Sequence, residues 1–185
     1  MLRRRLRCDA VKVYVLLADK GTHNPQTGTV NLLNVGWAVT QLRPLGPGGQ
    51  ASGAPMVTSP QAVVVFVEAE LAMCNRPLML ELRLLSEDGD LVEIQAPGGH
   101  QAVRLQQQMM VPSPAGVPTG FPGHATAMME LPQGLPLGPG IYRWQARVND
   151  KEEDEWSAHF FVAPPLQPPT FGFPPGSQER ADPHA

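Results

Sequence analysis

The sequence predicts an all-β fold, an antiparallel β-sandwich of about eight or nine strands with loops rich in proline and glycine. Apolar and polar residues alternate with a period of two along most of the chain, which is the pattern of strands with one buried face. The 18 glycines and 21 prolines among the 185 residues fall mainly between these segments, where turns are expected. Charged residues make up only 17% of the chain, which excludes a disordered polyelectrolyte and a coiled coil.

Three strands are predicted before residue 72. The first lies at 11–17, where valines and a leucine occupy every second position. A polar turn at 22–28 leads into a second strand at 29–41, which is rich in β-branched and aromatic residues. A Gly/Pro-rich loop is predicted at 43–60. The run AVVVFVEAEL at 62–71 begins with continuous apolar residues, which is typical of a central strand covered on both faces.

A hairpin is predicted at the Asp-Gly pair of residues 88–89, with strands at 78–84 and 91–95. An Asp-Gly pair readily adopts the positive φ angles that a tight hairpin turn needs. Two further strands are predicted at 102–111 and 124–130. The first of these also has acceptable helix propensity, so a short helix is the alternative there.

A second hairpin is predicted to close the domain, with strands at 141–148 and 156–162 and an acidic tip at 150–155. The residues predicted to face inward are Tyr142, Trp144, Ala146, Val148, Trp156, Ala158, Phe160 and Val162, and those predicted to face outward are Arg143, Gln145 and Arg147. We expect the two tryptophans to meet edge to face across the hairpin. Strands of this number and spacing are typical of an immunoglobulin-like sandwich or a jelly roll.

Composition divides the chain into three parts. Residues 1–10 form a basic N-terminal extension that contains four arginines. Residues 11–163 form the β-sandwich domain. Residues 164–185 form a proline-rich tail that is predicted to be extended or disordered.

No segment has the pattern of an export signal or a membrane span. Asp9 and Lys12 interrupt the apolar stretch that follows the arginines, and no apolar run reaches the ~20 residues that cross a bilayer. We therefore expect a cytoplasmic protein without a membrane span; the alternative location is a virion.

Charge and spacing argue against a nucleic-acid module or an enzyme. The net charge of −3 lacks the basic surplus of nucleic-acid-binding domains. The five histidines have no zinc spacing, and the acidic tip lacks the pattern of a calcium loop. Glu68 and Glu70, with Glu81 on a neighbouring strand, are interpreted as residues of a solvated sheet face rather than a catalytic pair. We expect no catalytic residue, no metal ion and no cofactor.

The two cysteines, Cys8 and Cys74, are far apart in the sequence. They form either a disulfide or two free thiols, and their spacing does not decide between these states.

Three aromatic residues are the candidate interaction residues. Trp37 follows Gly36 and is the tryptophan that the strand pattern does not assign to the core, so it is a candidate for stacking on a sugar. Phe171 and Phe173 are apolar anchors within the proline-rich tail, where an extended segment can dock on a partner at low entropic cost.

Several motifs together resemble those of a family of uncharacterised, mainly actinobacterial all-β proteins. They are VKVYVLLADKG at 11–21, GTVNLLNVGWAVTQL at 28–42, the strands with their Asp-Gly hairpin at 62–93, and LPLGPGIYRWQARVND…WSAHFFV at 135–162. The resemblance implies a β-sandwich and supplies no catalytic residues.

The function predicted from these features is a non-enzymatic interaction or scaffolding module that binds a protein partner or assembles with itself. A structural component of an actinobacteriophage virion, either a capsid decoration protein or a minor tail protein, is one alternative. A sandwich that binds a carbohydrate or another small ligand through Trp37 is the other.

Overall fold

The computed structural model describes residues 10–24, 28–45, 55–96, 98–118 and 120–165, and their regular structure is entirely β. Thirteen strands follow one another: β1 (Val11–Ala18), β2 (Lys20–Asn24), β3 (Thr29–Leu33), β4 (Val39–Pro44), β5 (Met56–Thr58), β6 (Gln61–Ala69), β7 (Pro77–Ser86), β8 (Glu93–Ala96), β9 (Gly99–Ala102), β10 (Arg104–Met110), β11 (Gly123–Leu131), β12 (Gly140–Val148) and β13 (Lys151–Ala163). The all-β prediction is confirmed. Within these residues no helix is long and apolar enough to cross a membrane.

Several predictions fall outside the described residues. They concern the basic extension up to residue 9 with Cys8, and the tail from residue 166 with Phe171 and Phe173. The other cysteine, Cys74, is a buried free thiol whose Sγ lies 3.5 Å from the Glu70 carbonyl oxygen.

A three-stranded antiparallel sheet has β6 at its centre, between β1 and β11. Val63, Val65 and Val67 of β6 face the core and are at most 1% exposed. Ala62 and Val64 point to the opposite face and are also fully buried. The β2–β3 hairpin lies against this opposite face, since β2 contacts both β6 and β11. The prediction of a central strand covered on both faces is therefore confirmed.

A six-stranded sheet has the order β10-β7-β12-β13-β4-β5. Its pairs are antiparallel except that β13 runs parallel to β4 at Phe161–Ala163. A parallel pair needs a long connection rather than a tight turn, and β4 and β13 are separated by most of the chain. One buried cluster combines side chains of both sheets, among them Val13, Val65, Leu82 and Trp144.

Turns divide the segments that were predicted as single elements, so the chain has more strands than predicted. The predicted strand at 29–41 is wrong, because Asn34 (φ 51°) and Gly36 (φ 81°) turn the backbone between β3 and β4. The predicted loop at 43–60 contains β5, which pairs with the end of β4. Residues 46–54 of that loop lie outside the described part of the chain.

The turn after β7 has one residue with positive φ rather than two. Gly89 has a positive φ of 87°, whereas the φ of Asp88 is not positive. The Gly89 amide donates a hydrogen bond to the Ser86 carbonyl at 3.0 Å. After the turn the chain runs back alongside β7 as far as Val92, whose amide donates to the Leu84 carbonyl. It then forms β8, which pairs with β9. The helical alternative at 102–111 is wrong, since β10 pairs with β7 along its length.

The closing hairpin turns at Asn149 (φ 49°) and Asp150 (φ 64°), which is the two-residue turn with two positive φ angles that suits strand twist. The predicted acidic tip is therefore wrong: its residues from 151 onward belong to β13. The inward faces of β12 and β13 are confirmed for Trp144, Trp156 and Phe160, which are buried.

The predicted contact between the tryptophans of this hairpin is not among the ring contacts of the described residues. Phe160 makes the ring contacts instead. It stacks on Tyr142 with a centroid distance of 5.8 Å and meets Trp37 edge to face at 5.9 Å.

Gln145 was predicted to face outward but is only 1% exposed. A bulge explains its burial, because Gln145 pairs with Ser157 whereas Arg147 pairs with Glu152, so β13 has extra residues at this point. The amide Nε2 of Gln145 donates to the carbonyl oxygens of Glu153 (2.9 Å) and Trp156 (3.2 Å). The side chain thus satisfies carbonyl groups that the bulge removes from the strand pairing.

We predict that Gln145→Met lowers the free energy of unfolding by about 1–3 kcal/mol, because carbonyl acceptors in the bulge lose their buried donor. Urea denaturation measures the change. The matched control is Gln106→Met on β10, where the residue is exposed and the expected change is within about 0.5 kcal/mol. Equal effects of the two substitutions would contradict the role assigned to Gln145.

Candidate functional site

A cleft lies beside Trp37, where the end of β1, the turn before β4 and the segment after β5 meet. Its volume is about 450 Å³. The residues that line it include Asp19, Asn34, Trp37, Val39, Gln41 and Ser59. Trp37, the sequence-predicted interaction residue of the described chain, is therefore part of a concave surface.

The backbone turn before β4 places Trp37 at the boundary between core and cleft. The Gly36 amide donates to the Leu17 carbonyl at 2.8 Å, which fixes the turn against the end of β1. The Trp37 ring is half-buried and packs on the core through Phe160. Its indole Nε1 is buried and has no hydrogen-bond partner among the described residues.

An exposed carboxylate, that of Asp19, lies at the rim of the cleft. Asn34 Nδ2 donates to Asp19 Oδ2 at 2.7 Å, and the Asp19 amide donates to the Leu33 carbonyl at 3.0 Å. The positive φ of Asn34 lets its side chain turn back toward Asp19. The backbone bond fixes the position of residue 19, and the Asn34 amide orients its exposed carboxylate.

A smaller cavity of about 240 Å³ adjoins the cleft and shares Asp19 and Pro60 with it. Gln61, the first residue of β6, lines this cavity and is only 2% exposed. Both amide atoms of Gln61 are buried without a hydrogen-bond partner in the described chain. Sequence analysis missed Gln61; the available signal was a polar residue at the start of a strand predicted to be covered on both faces.

A second surface feature is an apolar row on the outer face of the six-stranded sheet. We call Val39, Phe161 and Ile141 the outer row. They lie on three neighbouring strands and are direct cross-strand partners, Val39 with Phe161 and Phe161 with Ile141. Their exposed fractions are 59%, 40% and 42%, so the row is an apolar patch open to solvent.

Charged side chains on the same face form a network centred on Arg147. Its guanidinium lies 3.1 Å from Glu81 and 3.5 Å from Glu152. Arg83 also pairs with Glu152, and Arg104 lies 4.0 Å from Glu81. Each carboxylate of the network is therefore neutralised by arginine.

Of the carboxylates considered in the sequence, Glu68 and Glu70 line one cavity of about 480 Å³ together with Lys12, whereas Glu81 lies apart from them. Glu81 was placed on a strand beside Glu68, but β7 pairs with β10 and β12, whereas β6 belongs to the other sheet. Glu68 instead lies 3.6 Å from Lys12 of β1. Across the described residues no group of three or more His, Cys, Asp or Glu could hold a metal ion.

We predict that Arg147→Met lowers the free energy of unfolding by about 1–3 kcal/mol, because Glu81, which is 8% exposed, loses its nearest cation. Lys12→Met is the matched control. Lys12 is 61% exposed in its pair with Glu68, so its loss is expected to change the free energy by less than about 1 kcal/mol. Both values come from urea denaturation, and a larger effect of the Lys12 substitution would contradict the network's role.

Comparison with known proteins does not connect this chain to a family. No family model matches it, and no curated protein matches it. Among solved structures it is similar to the alkylpurine DNA glycosylase AlkC of Pseudomonas fluorescens, bound to DNA containing an abasic site analog, with 13% identity and a TM-score of 0.32 over 83% of this chain and 30% of that one. It is also similar to a hemolymph type prophenoloxidase of a crustacean, with 9% identity and a TM-score of 0.43 over 88% of this chain and 36% of that one. The chain thus spans about a third of the length of either protein, and TM-scores this low carry no argument about fold or function.

Proposed function

We propose that this chain is a non-enzymatic β-sandwich module of scaffolding type, which assembles with other copies of itself through the outer row. The sandwich assignment is supported by the buried cluster, to which both the three-stranded and the six-stranded sheet contribute side chains. It is further supported by the approach of β1 to β12 and β13. The membership of the chain in the actinobacterial all-β family is part of this proposal.

The ion pairs favour a structural role for the carboxylates over a catalytic one. A general acid or a nucleophile needs a carboxyl group directed at a substrate. Glu81 and Glu152 instead contact Arg147, and Glu68 contacts Lys12.

The exposed apolar outer row is the observation on which the proposal depends. Three aligned apolar side chains on a sheet face lose solvent contact when another chain covers them, and each contributes hydrophobic free energy on burial. Arg143 and His159, which are cross-strand partners two residues along β12 and β13 from the row, supply the polar rim that protein interfaces have around an apolar centre.

The occupant that we propose for the outer row is the segment with Phe171 and Phe173 of a second copy. The chain leaves β13 at Ala163, two residues after Phe161. Prolines at 164, 165, 168 and 169 favour an extended path of about 3.1 Å per residue. A segment that stays extended does not fold back onto the residues next to its own start, which favours a neighbouring copy as the acceptor.

Sedimentation equilibrium on the full chain tests this assembly. We expect concentration-dependent association of the wild type and monomers for Phe161→Thr, which removes the centre of the row. The double substitution Phe171→Ser with Phe173→Ser is also expected to give monomers, because the arm loses its anchors. The matched control is Met79→Thr on β7, an exposed apolar residue outside the row, which should associate like the wild type.

Mixing the two monomeric variants is the decisive measurement. One has an intact arm and the other an intact outer row, so together they are expected to form a one-to-one heterodimer. A wild type that stays monomeric up to millimolar concentration, or variants that do not complement each other, would refute the proposal.

A further inference from the structure

β10 forms an open edge of the six-stranded sheet. It pairs with β7 on one side, and no described strand pairs with its other side. Soluble proteins usually protect such an edge with a proline, a lysine, a bulge or a very short strand. None of these occurs in β10, because its seven residues include no proline or lysine and its register with β7 is unbroken. An extended chain can therefore join the sheet at this edge.

The other sheet edges are less open to an added strand. β5, at the opposite edge of the same sheet, has only three residues. Of the two edge strands of the three-stranded sheet, β1 is approached by β13 and β11 is contacted by β2. The extensive contacts of β10 are with β7 alone among the described strands, so β10 offers the most accessible edge.

Hydrogen bonds at both ends of β10 show which backbone groups face the open side. The carbonyl of Val103, just before the strand, accepts from the Leu84 amide at 3.0 Å. The carbonyl of Val111, just after the strand, accepts from the Asn75 amide at 2.8 Å. Odd-numbered residues thus face β7, and the N–H and C=O groups of even-numbered residues face outward, because this direction alternates along a strand. The outward residues of β10 are Arg104, Gln106, Gln108 and Met110.

The side chains along the open edge are apolar in the middle and cationic at the ends. Leu105 and Met109 pack against the core but remain partly exposed at this margin of the sheet, so apolar side chains on an added strand extend the core there. Arg104 begins the strand, and the exposed Arg76 lies beside its end, immediately before β7. Carboxylates at both ends of a partner strand complement these cations.

We infer that the open edge of β10 binds an extended peptide that has alternating apolar residues and a carboxylate at each end. The peptide backbone continues the sheet, its apolar side chains cover Leu105 and Met109, and its carboxylates pair with Arg104 and Arg76. The partner is a segment of another protein, because β10 of a second copy contains no carboxylate. The site uses neither the outer row nor the C-terminal arm, so it is independent of the proposed self-assembly.

Fluorescence anisotropy with a fluorescein-labelled peptide tests the inference on the full chain. The probe is Glu-Val-Thr-Val-Thr-Val-Glu with blocked ends, in which the valines lie on one face of a strand. The comparison peptide has lysine in place of both glutamates. We expect saturable binding of the acidic peptide and binding of the basic one that is about tenfold weaker or less. Phe161→Thr should bind the acidic peptide like the wild type, whatever the assembly state of that variant.

A proline substitution separates edge pairing from side-chain contact. Gln108→Pro removes one outward N–H group and is expected to weaken binding of the acidic peptide about tenfold. Gln108→Ala keeps that N–H group, so it is the matched control and should bind like the wild type. Thermal unfolding checks the fold, and Gln108→Pro should melt near the wild-type temperature because free edges tolerate proline.

N-methylated peptides provide a second test with the unaltered chain. In antiparallel pairing the two threonines lie opposite Gln106 and Gln108, so their N–H groups face β10 and those of the valines face away. Methylation of both threonine amides is expected to abolish binding. Methylation of the first and third valine amides should leave the affinity unchanged.

Arginine substitutions test the charge requirement. Arg104→Gln and Arg76→Gln are each expected to weaken binding of the acidic peptide several-fold and to reduce its dependence on salt concentration. Met79→Thr on β7, which leaves both cations in place, is the control and should bind like the wild type.

Four results would overturn the inference. The first is the absence of saturable binding of the acidic peptide, and the second is equal binding of the acidic and basic peptides. The third is binding that neither Gln108→Pro nor methylation of the threonine amides weakens. The fourth is dimerisation of Phe161→Thr that Gln108→Pro abolishes, which would assign the edge to a second copy of the chain.

Discussion

The burial of β6 on both faces is the constraint on which the rest of the structure depends. Its valines face the common core on one side, and the β2–β3 hairpin covers Val64 on the other. A strand with no exposed face places its end residues in the interior as well, unless they extend past the sheet. Gln61 is such a residue, so the burial that stabilises the strand also leaves both atoms of its amide without a hydrogen-bond partner among the described residues. The strand that anchors the fold therefore creates the most unusual polar group in it.

Periodicity alone predicted those strands whose two faces meet different environments. In β1, β12 and β13 one face contacts the core and the other contacts solvent or charged neighbours, so alternation in the sequence reports the fold directly. Gln145 departs from this rule, because a bulge gives one position a second set of neighbours. Such a bulge depends on how two strands pair, so the alternation of apolar and polar residues within either strand does not predict it.

Turns were the weaker part of the sequence prediction, for a physical reason. Asn34 and Gly36 reverse the chain within a segment that is otherwise rich in β-branched and aromatic residues, because positive φ values depend on single residues rather than on a pattern. The pairing of β4 with β5 joins residues on either side of a loop, and no local signal predicts that contact. The parallel pairing of β4 with β13 is likewise a matter of tertiary structure.

The two candidate surfaces show the same limit and share one residue. Trp37 was recognisable from its sequence position, but the wall of its cleft comes from the residue after β1, the first residues of β4 and the segment after β5. The outer row likewise exists only through cross-strand register. Val39 belongs to both surfaces, since it lines the cleft and pairs with Phe161. A chain seated on the row therefore covers a side chain that also lines the cleft, whereas Asn34 belongs to the cleft alone and Ile141 to the row alone. Substitutions of Asn34 and of Ile141 therefore test the two surfaces separately. A substitution of Val39 changes both surfaces at once, so any influence of one surface on the other depends on this side chain.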